Sequence, residues 1–277
     1  MQAVGLVKDC KFLAKSNWSE LTRLHLGQTN FALEFAEDAP CLERLDLSEN
    51  CVQSSGTHLM GYHGWGSLKR LCLSKTRGFY TDERPPTTVC SMLECLDLCA
   101  CKLIPVDGEG YPSMLGVENL LGACWPMMQF LKLADCALNE VSIERLVTVG
   151  CNWPLLTVLD LHGNNLDSAA ISYLVAGNWP LLQAFDLSQH RLDEVSIHIL
   201  NEAHPWPLLE ELHFDDFQLI LLQELTNSSF EFYPDYVSEL EKAQLAQLAR
   251  CHWPRLKHFP DTGPLDFSVS NRWLQFW

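Results

Sequence analysis

A short leucine pattern, Leu-x-x-Leu-x-Leu, recurs at near-regular intervals along the 277-residue chain. Three copies align without gaps, and each begins with Trp-Pro-Leu-Leu, at Trp153, Trp179 and Trp206. The leading residue of successive copies lies at positions 21, 42, 68, 93, 128, 156, 182, 209 and 256. One such unit cannot bury its apolar face alone, so similar units stack and share a continuous core. The repeat therefore predicts a solenoid.

Each unit is expected to contain a short strand followed by a helix. The segment 158–162 alternates between apolar and polar residues, so Leu159 should point into the core and Asp160 away from it. Ile171 and Leu174 follow at helical spacing, with their side chains on one face. The pattern predicts parallel strands on one side of the stack and helices on the other.

Tryptophan marks the boundary between the helix of one repeat and the strand of the next. Seven of the nine tryptophans occupy this position: Trp18, Trp65, Trp125, Trp153, Trp179, Trp206 and Trp253. Five of the seven are followed by proline, which disfavours helix at the preceding residue and helps to set the crossover. An aromatic residue that recurs at a fixed repeat position is typical of a core, so we interpret these tryptophans as core residues.

The repeats resemble those of the leucine-rich-repeat family, whose pattern is L-x-x-L-x-L-x-x-N/C-x-L. The copy from Leu156 to Leu166, with Asn164 at the asparagine position, fits this pattern throughout. The repeat length and the helical second half most resemble the ribonuclease-inhibitor-type and cysteine-containing subclasses. The resemblance implies an α/β fold: an open horseshoe with a parallel concave sheet and helices on the convex side.

The asparagine position of the pattern supplies side chains that bond to backbone carbonyls at the turn. Down the repeats it reads Thr29, Asn50, Thr76, Cys101, Cys136, Asn164, His190 and Phe217. The first six can donate a hydrogen bond, whereas His190 and Phe217 depart from the pattern. We therefore expect this polar ladder to weaken towards the C-terminus. For Cys101 and Cys136 we expect reduced thiols in the ladder and no disulfide.

The repeats predict a single solenoid over residues 1–277, with about eight repeats and a truncated ninth. Two irregular spacings indicate insertions near 104–113 and 220–250. Residues 12–18 align with a repeat's helix, so the chain is expected to begin on a helix with no preceding strand. Whether the chain is a piece of a longer protein stays open.

The net charge of the chain limits the classes of partner that it can bind. The formal net charge of −16 argues against nucleic acid, and it also argues against docking on an anionic membrane. No apolar run approaches the length that spans a bilayer. Residues 1–100 hold 10 basic and 12 acidic residues, while residues 101–277 hold 9 and 23. The acidic half predicts a surface that attracts a basic segment of a protein partner.

The candidate contact residues lie on the outward positions of the later strands and in the second insertion. They are Asp160, His162, Asp186, Ser188, Glu211, His213, Asp215, Asp216, Phe232 and Tyr233. The first eight would line the concave sheet of the acidic half. The two aromatic residues would contact the partner from the insertion, because insertions in solenoids often lie on the binding face. Equally, they could fold back over the end of the stack.

Asp160, Asp186 and His213 fall at one position on consecutive strands, about 5 Å apart. Such a cluster could hold a divalent metal or share protons. However, like residues align automatically in any repeat sheet, so we expect no metal, no cofactor and no catalytic residue here. The sequence also contains no G-x-S-x-G, H-E-x-x-H or Walker-type motif.

These observations predict a protein–protein interaction module that binds its partner on the concave sheet and is not an enzyme. The twelve cysteines include no CxxC pair and no export signal precedes them, so a cytoplasmic or nuclear location is expected. Two alternatives stay open. The resemblance also allows a Ran-type GTPase-activating protein, which uses a similar solenoid, and a structural subunit of a large assembly.

Overall fold

The computed structural model describes residues 2–4, 18–28, 39–50, 66–76, 90–101, 125–148, 153–164, 166–190, 193–203 and 206–213. Within them, nine three-residue strands form one sheet whose strand order follows the sequence. They are β1 (Gln2–Val4), β2 (Arg23–His25), β3 (Arg44–Asp46), β4 (Arg70–Cys72), β5 (Cys95–Asp97), β6 (Phe130–Lys132), β7 (Val158–Asp160), β8 (Ala184–Asp186) and β9 (Glu211–His213). Three helices follow the later strands: α1 (Glu140–Thr148), α2 (Ser168–Ala176) and α3 (Glu194–Ala203).

All neighbouring strands pair in parallel, and each pairs with the next in sequence. A parallel connection needs a crossover, which the helices supply after β6, β7 and β8. The sheet is open rather than closed into a barrel. The fold is an α/β leucine-rich-repeat solenoid, as the repeat predicts.

The middle residue of each strand from β2 to β9 points into the core. These residues are Leu24, Leu45, Leu71, Leu96, Leu131, Leu159, Phe185 and Leu212, and all are buried. Helix residues such as Ile143, Ile171 and Leu200 belong to the same apolar cluster, and α2 packs between α1 and α3. The helices therefore lie on the core side of the sheet, and the opposite side is the concave face.

The tryptophan position forms a tight turn in every described repeat. The N–H of Leu156 donates to the carbonyl of Trp153 at 3.1 Å, and the same three-residue bond recurs at Trp18, Trp125, Trp179 and Trp206. These five indoles are buried, which confirms that the five are core residues, whereas Trp65 and Trp253 lie outside the described residues. Ala39 and Cys90 occupy the equivalent position in two other repeats and make the same bond.

The polar ladder forms as expected at its central positions. The amide of Asn164 donates to the carbonyls of Leu133 and Leu161 at 2.8 and 2.7 Å. The thiols of Cys101 and Cys136 each donate to a backbone carbonyl of an earlier repeat, at 2.8 and 3.0 Å. Each ladder residue therefore ties its own turn to the preceding one. Thr29 and Phe217 lie outside the described residues.

The expectation that the ladder weakens at His190 is wrong. The ring is fully buried, its Nδ1 accepts from the N–H of Leu166 at 3.1 Å, and its Nε2 lies 2.9 Å from the carbonyl of Leu161. A neutral imidazole offers one donor and one acceptor, the same pair of functions that an asparagine amide offers. Because Nδ1 accepts, the proton lies on Nε2, and the ring replaces asparagine without breaking the ladder.

A strand does precede the first leucine repeat, so the expectation of none is wrong. Gln2–Val4 forms β1 and pairs in parallel with β2, with Gln2 opposite Arg23. The segment lacks the repeat's leucines, and backbone pairing requires only N–H and C=O groups. The helix predicted over 12–18 and the insertions near 104–113 and 220–250 lie outside the described residues, except that Trp18 is described. Within the described part of the chain, the helices are too short and too polar to cross a bilayer.

Candidate functional site

Two rows of side chains cross the concave face, one from the first and one from the last residue of each strand. From β2 to β9 the first row reads Arg23, Arg44, Arg70, Cys95, Phe130, Val158, Ala184 and Glu211. The second row reads His25, Asp46, Cys72, Asp97, Lys132, Asp160, Asp186 and His213. The register confirms that Asp160, Asp186 and His213 share one position on consecutive strands.

The aspartates of the second row end their strands with the same hydrogen bond. Oδ1 of each accepts the backbone N–H two residues further on, at 2.9 Å for Asp46, 3.0 Å for Asp97, 3.2 Å for Asp160 and 2.8 Å for Asp186. This Asx turn reverses the chain at the strand's end, since the side chain imitates a backbone turn. The aspartate before the third leucine therefore has a structural role in every repeat that contains it.

Asp160 and His162 are the centre of the acidic half of the concave face. His162 Nδ1 lies 3.1 Å from Asp160 Oδ1, and His162 Nε2 lies 3.6 Å from Asp135 Oδ2. The hydrogen bond to Asp160 raises the pKa of His162, and the negative charges of Asp186 and Asp135 add to the shift against the opposing effect of burial. The imidazole is thus held by carboxylates on two sides.

Asp186 is bonded on one oxygen only. Its Oδ1 accepts from the N–H and the hydroxyl of Ser188, at 2.8 and 2.6 Å. Its Oδ2 is buried and has no hydrogen-bond partner. Burial, together with the nearby charge of Asp160, raises the pKa of Asp186. A buried carboxylate oxygen without a partner is costly, so this atom stands out in the sheet.

His213, opposite Asp186 on β9, has a second buried atom without a partner. Its Nδ1 makes no hydrogen bond, while its Nε2 lies 3.9 Å from Glu211 Oε2. The side chain is 8% exposed. Two adjacent strands thus place a carboxylate oxygen and an imidazole nitrogen, each lacking a partner, at the same register position.

Asp160 and Asp186, two of the predicted contact residues, are each only 2% exposed. Period-two alternation correctly places them on the concave face, but their carboxylates are drawn into the turns that follow. His162, Ser188 and Glu211 are half-buried and accessible from the concave side. The remaining candidates, Asp215, Asp216, Phe232 and Tyr233, lie outside the described residues.

The N-terminal half of the concave face has charges of both signs that pair across strands. His25 Nδ1 lies 2.5 Å from Asp46 Oδ2, and Lys69 Nζ lies 2.9 Å from Glu43 Oε1. Lys69 lowers the pKa of Glu43 through a hydrogen bond and through its charge. Several side chains of opposite polarity in this half therefore pair with each other.

Sequence reasoning missed an apolar strip in the middle of the first row. Val158 and Ala184 are buried together on the concave side, and Phe130 packs against them as a cluster separate from the main core. The strip separates the three arginines of β2–β4 from Glu211 of β9. The alternation of residues along each strand could have revealed it, had the apolar outward positions been compared between repeats.

Comparisons with known proteins yield neither a matching family model nor a matching curated relative. Among solved structures, the chain is similar to leiomodin-1 actin-binding site 2, with 13% identity over 50% of this chain and 87% of that chain and a TM-score of 0.33. It is also similar to an octameric complex of latrophilin 3, Unc5D and the leucine-rich-repeat protein FLRT2, with 12% identity over 80% of this chain and 82% of that chain and a TM-score of 0.34. Both likenesses are loose.

Proposed function

We propose that this protein is a protein-interaction module that binds a basic segment of its partner along the C-terminal half of the concave face. The observation that carries the proposal is the separation of charge along the sheet. Arginines occupy the first row on β2–β4, whereas the rows on β7–β9 contain aspartate, glutamate and imidazole but neither lysine nor arginine. A partner with a basic segment would be oriented by this gradient.

The overall charge supports the same direction. Most of the −16 net charge lies after residue 100, where the sequence contains 23 acidic and 9 basic residues. The electrostatic field of such an acidic region increases the association rate with an oppositely charged segment more than it increases the affinity. Recognition, rather than catalysis, is the role that these features favour.

Finer assignments belong to the same proposal. We assign the chain to the ribonuclease-inhibitor-like or cysteine-containing type of leucine-rich repeat, because helices follow β6, β7 and β8 and two thiols occupy ladder positions. A cytoplasmic or nuclear location is supported by the free, buried thiols of the described repeats. Burial raises the pKa of Cys90, Cys95 and Cys101 to about 12, so these thiols stay protonated.

The test reverses charge at matched positions of the two halves. Glu210 and Glu43 both come directly before the first strand residue of their repeats, and both are half-buried. The full chain is immobilised as wild type, as Glu210→Lys and as Glu43→Lys, and captured proteins are quantified at low and high salt. We expect partners with Lys/Arg-rich segments to bind wild type and Glu43→Lys and to decline severalfold with Glu210→Lys. Equal capture by all three proteins would contradict the acidic-half proposal.

A further inference from the structure

Three side chains converge at the C-terminal ends of β7 and β8. Asp160, Asp186 and His162 each present one possible ligand atom, and these three atoms lie within 4.8 Å of one another. Asp160 and Asp186 are opposite each other in register, and His162 follows Asp160 by two residues. Such a group could arise simply from the repeat, which is why the sequence alone favours no metal there.

Two unpartnered atoms separate this cluster from an ordinary row of repeat aspartates. Asp186 Oδ2 is buried without a hydrogen bond, although Oδ1 of the same carboxylate has two. Nδ1 of His213, the residue opposite Asp186 on β9, is buried without a hydrogen bond as well. Both side chains are more than nine-tenths buried. A cation bound to Asp186 Oδ2 would give this oxygen the partner that it lacks.

The charges around the cluster also favour a bound cation. Asp160 and Asp186 are two buried carboxylates at the same register position on neighbouring strands. On the β6 side, Lys132 is opposite Asp160 and supplies one positive charge. On the β9 side, the neighbour of Asp186 is an imidazole rather than a lysine or arginine. The strands that flank the cluster therefore place a lysine at this register position on β6 and no lysine or arginine on β9.

We propose that Asp160, His162 and Asp186 form a binding site for a divalent transition-metal ion of the zinc type, which joins β7 and β8. The donor set decides the class of metal. Zinc accepts imidazole nitrogen together with carboxylate oxygen, whereas magnesium and calcium prefer oxygen ligands alone. A metal here stabilises the C-terminal half of the sheet, and the site does not depend on the proposed binding of a basic partner.

Asp46 provides a matched control for the site. It occupies the same strand position on β3 and makes the same Asx turn, in this case with the N–H of Ser48. Its second oxygen, however, is paired with His25. Substituting Asn at either aspartate keeps the Oδ1 acceptor and removes one charge, so zinc affinity, rather than stability, is the quantity that the two variants should change differently.

The experiment uses the full chain, stripped with a chelator and titrated with Zn²⁺ and, separately, with Mg²⁺. Calorimetry and metal analysis give affinity and stoichiometry, and thermal unfolding gives the stabilisation. We expect one Zn²⁺ per chain with a raised melting temperature, no binding of Mg²⁺ at the same concentrations, and unchanged zinc affinity in Asp46→Asn. Asp186→Asn and His162→Gln should each weaken zinc binding at least about tenfold, since even residues that only support a metal ligand have effects of that size.

Cobalt identifies the ligands, because the chain also has twelve cysteines. Co²⁺ at the proposed site gives visible absorption without the near-ultraviolet charge-transfer band of thiolate ligands. If Asp186→Asn fails to fold, as judged by circular dichroism, the zinc affinity of His162→Gln tests the proposal. The proposal is overturned if wild type binds no zinc, if both variants bind it as wild type does, or if cobalt shows thiolate ligation.

Discussion

The two halves of the concave face use the same backbone frame and treat charge differently. On β2–β4 the charged side chains are partly exposed and pair across strands, as His25 does with Asp46 and Lys69 with Glu43. On β7–β9 the carboxylates of Asp160 and Asp186 are buried, and their bonds are to the turns of their own repeats. The repeat therefore determines where a carboxylate lies, and its neighbours on the adjacent strands determine what it does there.

The difference has a physical consequence for each half. Exposed ion pairs are screened by water and salt, so they contribute little to stability and their residues can be substituted at little cost. Buried groups with unpartnered atoms destabilise the fold unless something binds them. The charged groups of the N-terminal half thus need no further partner, whereas the C-terminal half contains buried polar atoms that a bound ion or partner would stabilise. That asymmetry is where we look for function.

The largest effect on stability is expected at the polar ladder, which both halves contain. Asn164→Ala removes an amide that bonds Leu133 and Leu161 and leaves the N–H groups of Cys136 and Leu138 without their acceptor. Each buried group left unsatisfied costs about 1–3 kcal/mol, so we expect a loss of about 4 kcal/mol in the free energy of unfolding. Urea denaturation followed by tryptophan fluorescence measures it.

The counterpart in the N-terminal half is Asn50→Ala, since Asn50 donates to the carbonyls of Leu26 and Leu47 in the same manner. A loss of similar size is expected. If one substitution hardly changes the free energy of unfolding while the other lowers it strongly, the polar ladder does not stabilise the two halves equally, and the comparison between them fails.

Acid should loosen the C-terminal half before the N-terminal half. Burial lowers the pKa of His190 to about 4, because protonation would charge a buried ring and convert its Nδ1 acceptor into a donor facing the N–H of Leu166. The unfolded chain binds this proton at a pKa of about 6.5. The contribution of His190 is therefore complete above about pH 6.5 and is lost as the pH falls towards 4.

From neutral pH to about pH 5, this one residue should lower the free energy of unfolding by about 2 kcal/mol. Urea denaturation at the two pH values, with His190→Asn as control, isolates its share, because asparagine keeps the ladder and does not titrate. Hydrogen exchange should show the amides of β7–β9 losing protection first. An identical pH response in His190→Asn would refute the assignment of the neutral ring.

The leucine and tryptophan positions were predictable because their burial follows directly from the repeat. His190 was misjudged because the pattern names residue types, whereas the ladder requires a donor and an acceptor at given points, which a neutral imidazole supplies. The depth of Asp160 could not be predicted, for a related reason. Alternation along a strand tells which face a side chain occupies, but it does not tell how much water reaches it.

The unpartnered atoms of Asp186 and His213 could not be predicted from the sequence at all. The repeat places the two residues on adjacent strands, and that much is readable. Whether an oxygen or a nitrogen finds a hydrogen-bond partner depends on side-chain rotamers and on the exact turn geometry, and neither has a signature in residue type.

A smaller effect should have opposite signs in the two halves. After removal of metal, Asp186→Asn relieves the repulsion with Asp160 and should raise the free energy of unfolding by about 1 kcal/mol. Asp46→Asn weakens the pair with His25, which is half exposed, and should lower it by less than about 1 kcal/mol. Urea midpoints at neutral pH, with unchanged slopes, measure both. Equal signs would show that the two carboxylates are treated alike.

The smallest effect is expected in the N-terminal half. Lys69→Gln removes the partner of Glu43, and both side chains are about 40% exposed, at 38% and 41%. Water and salt screen a pair at this exposure, so we expect no change in the urea midpoint beyond experimental error, and the same for Glu43→Gln. Increasing salt should leave both variants and wild type equally stable. A clear destabilisation that salt suppresses would mean that the exposed pairs hold β3 and β4 together, and that the N-terminal half depends on its charges as much as the C-terminal half does.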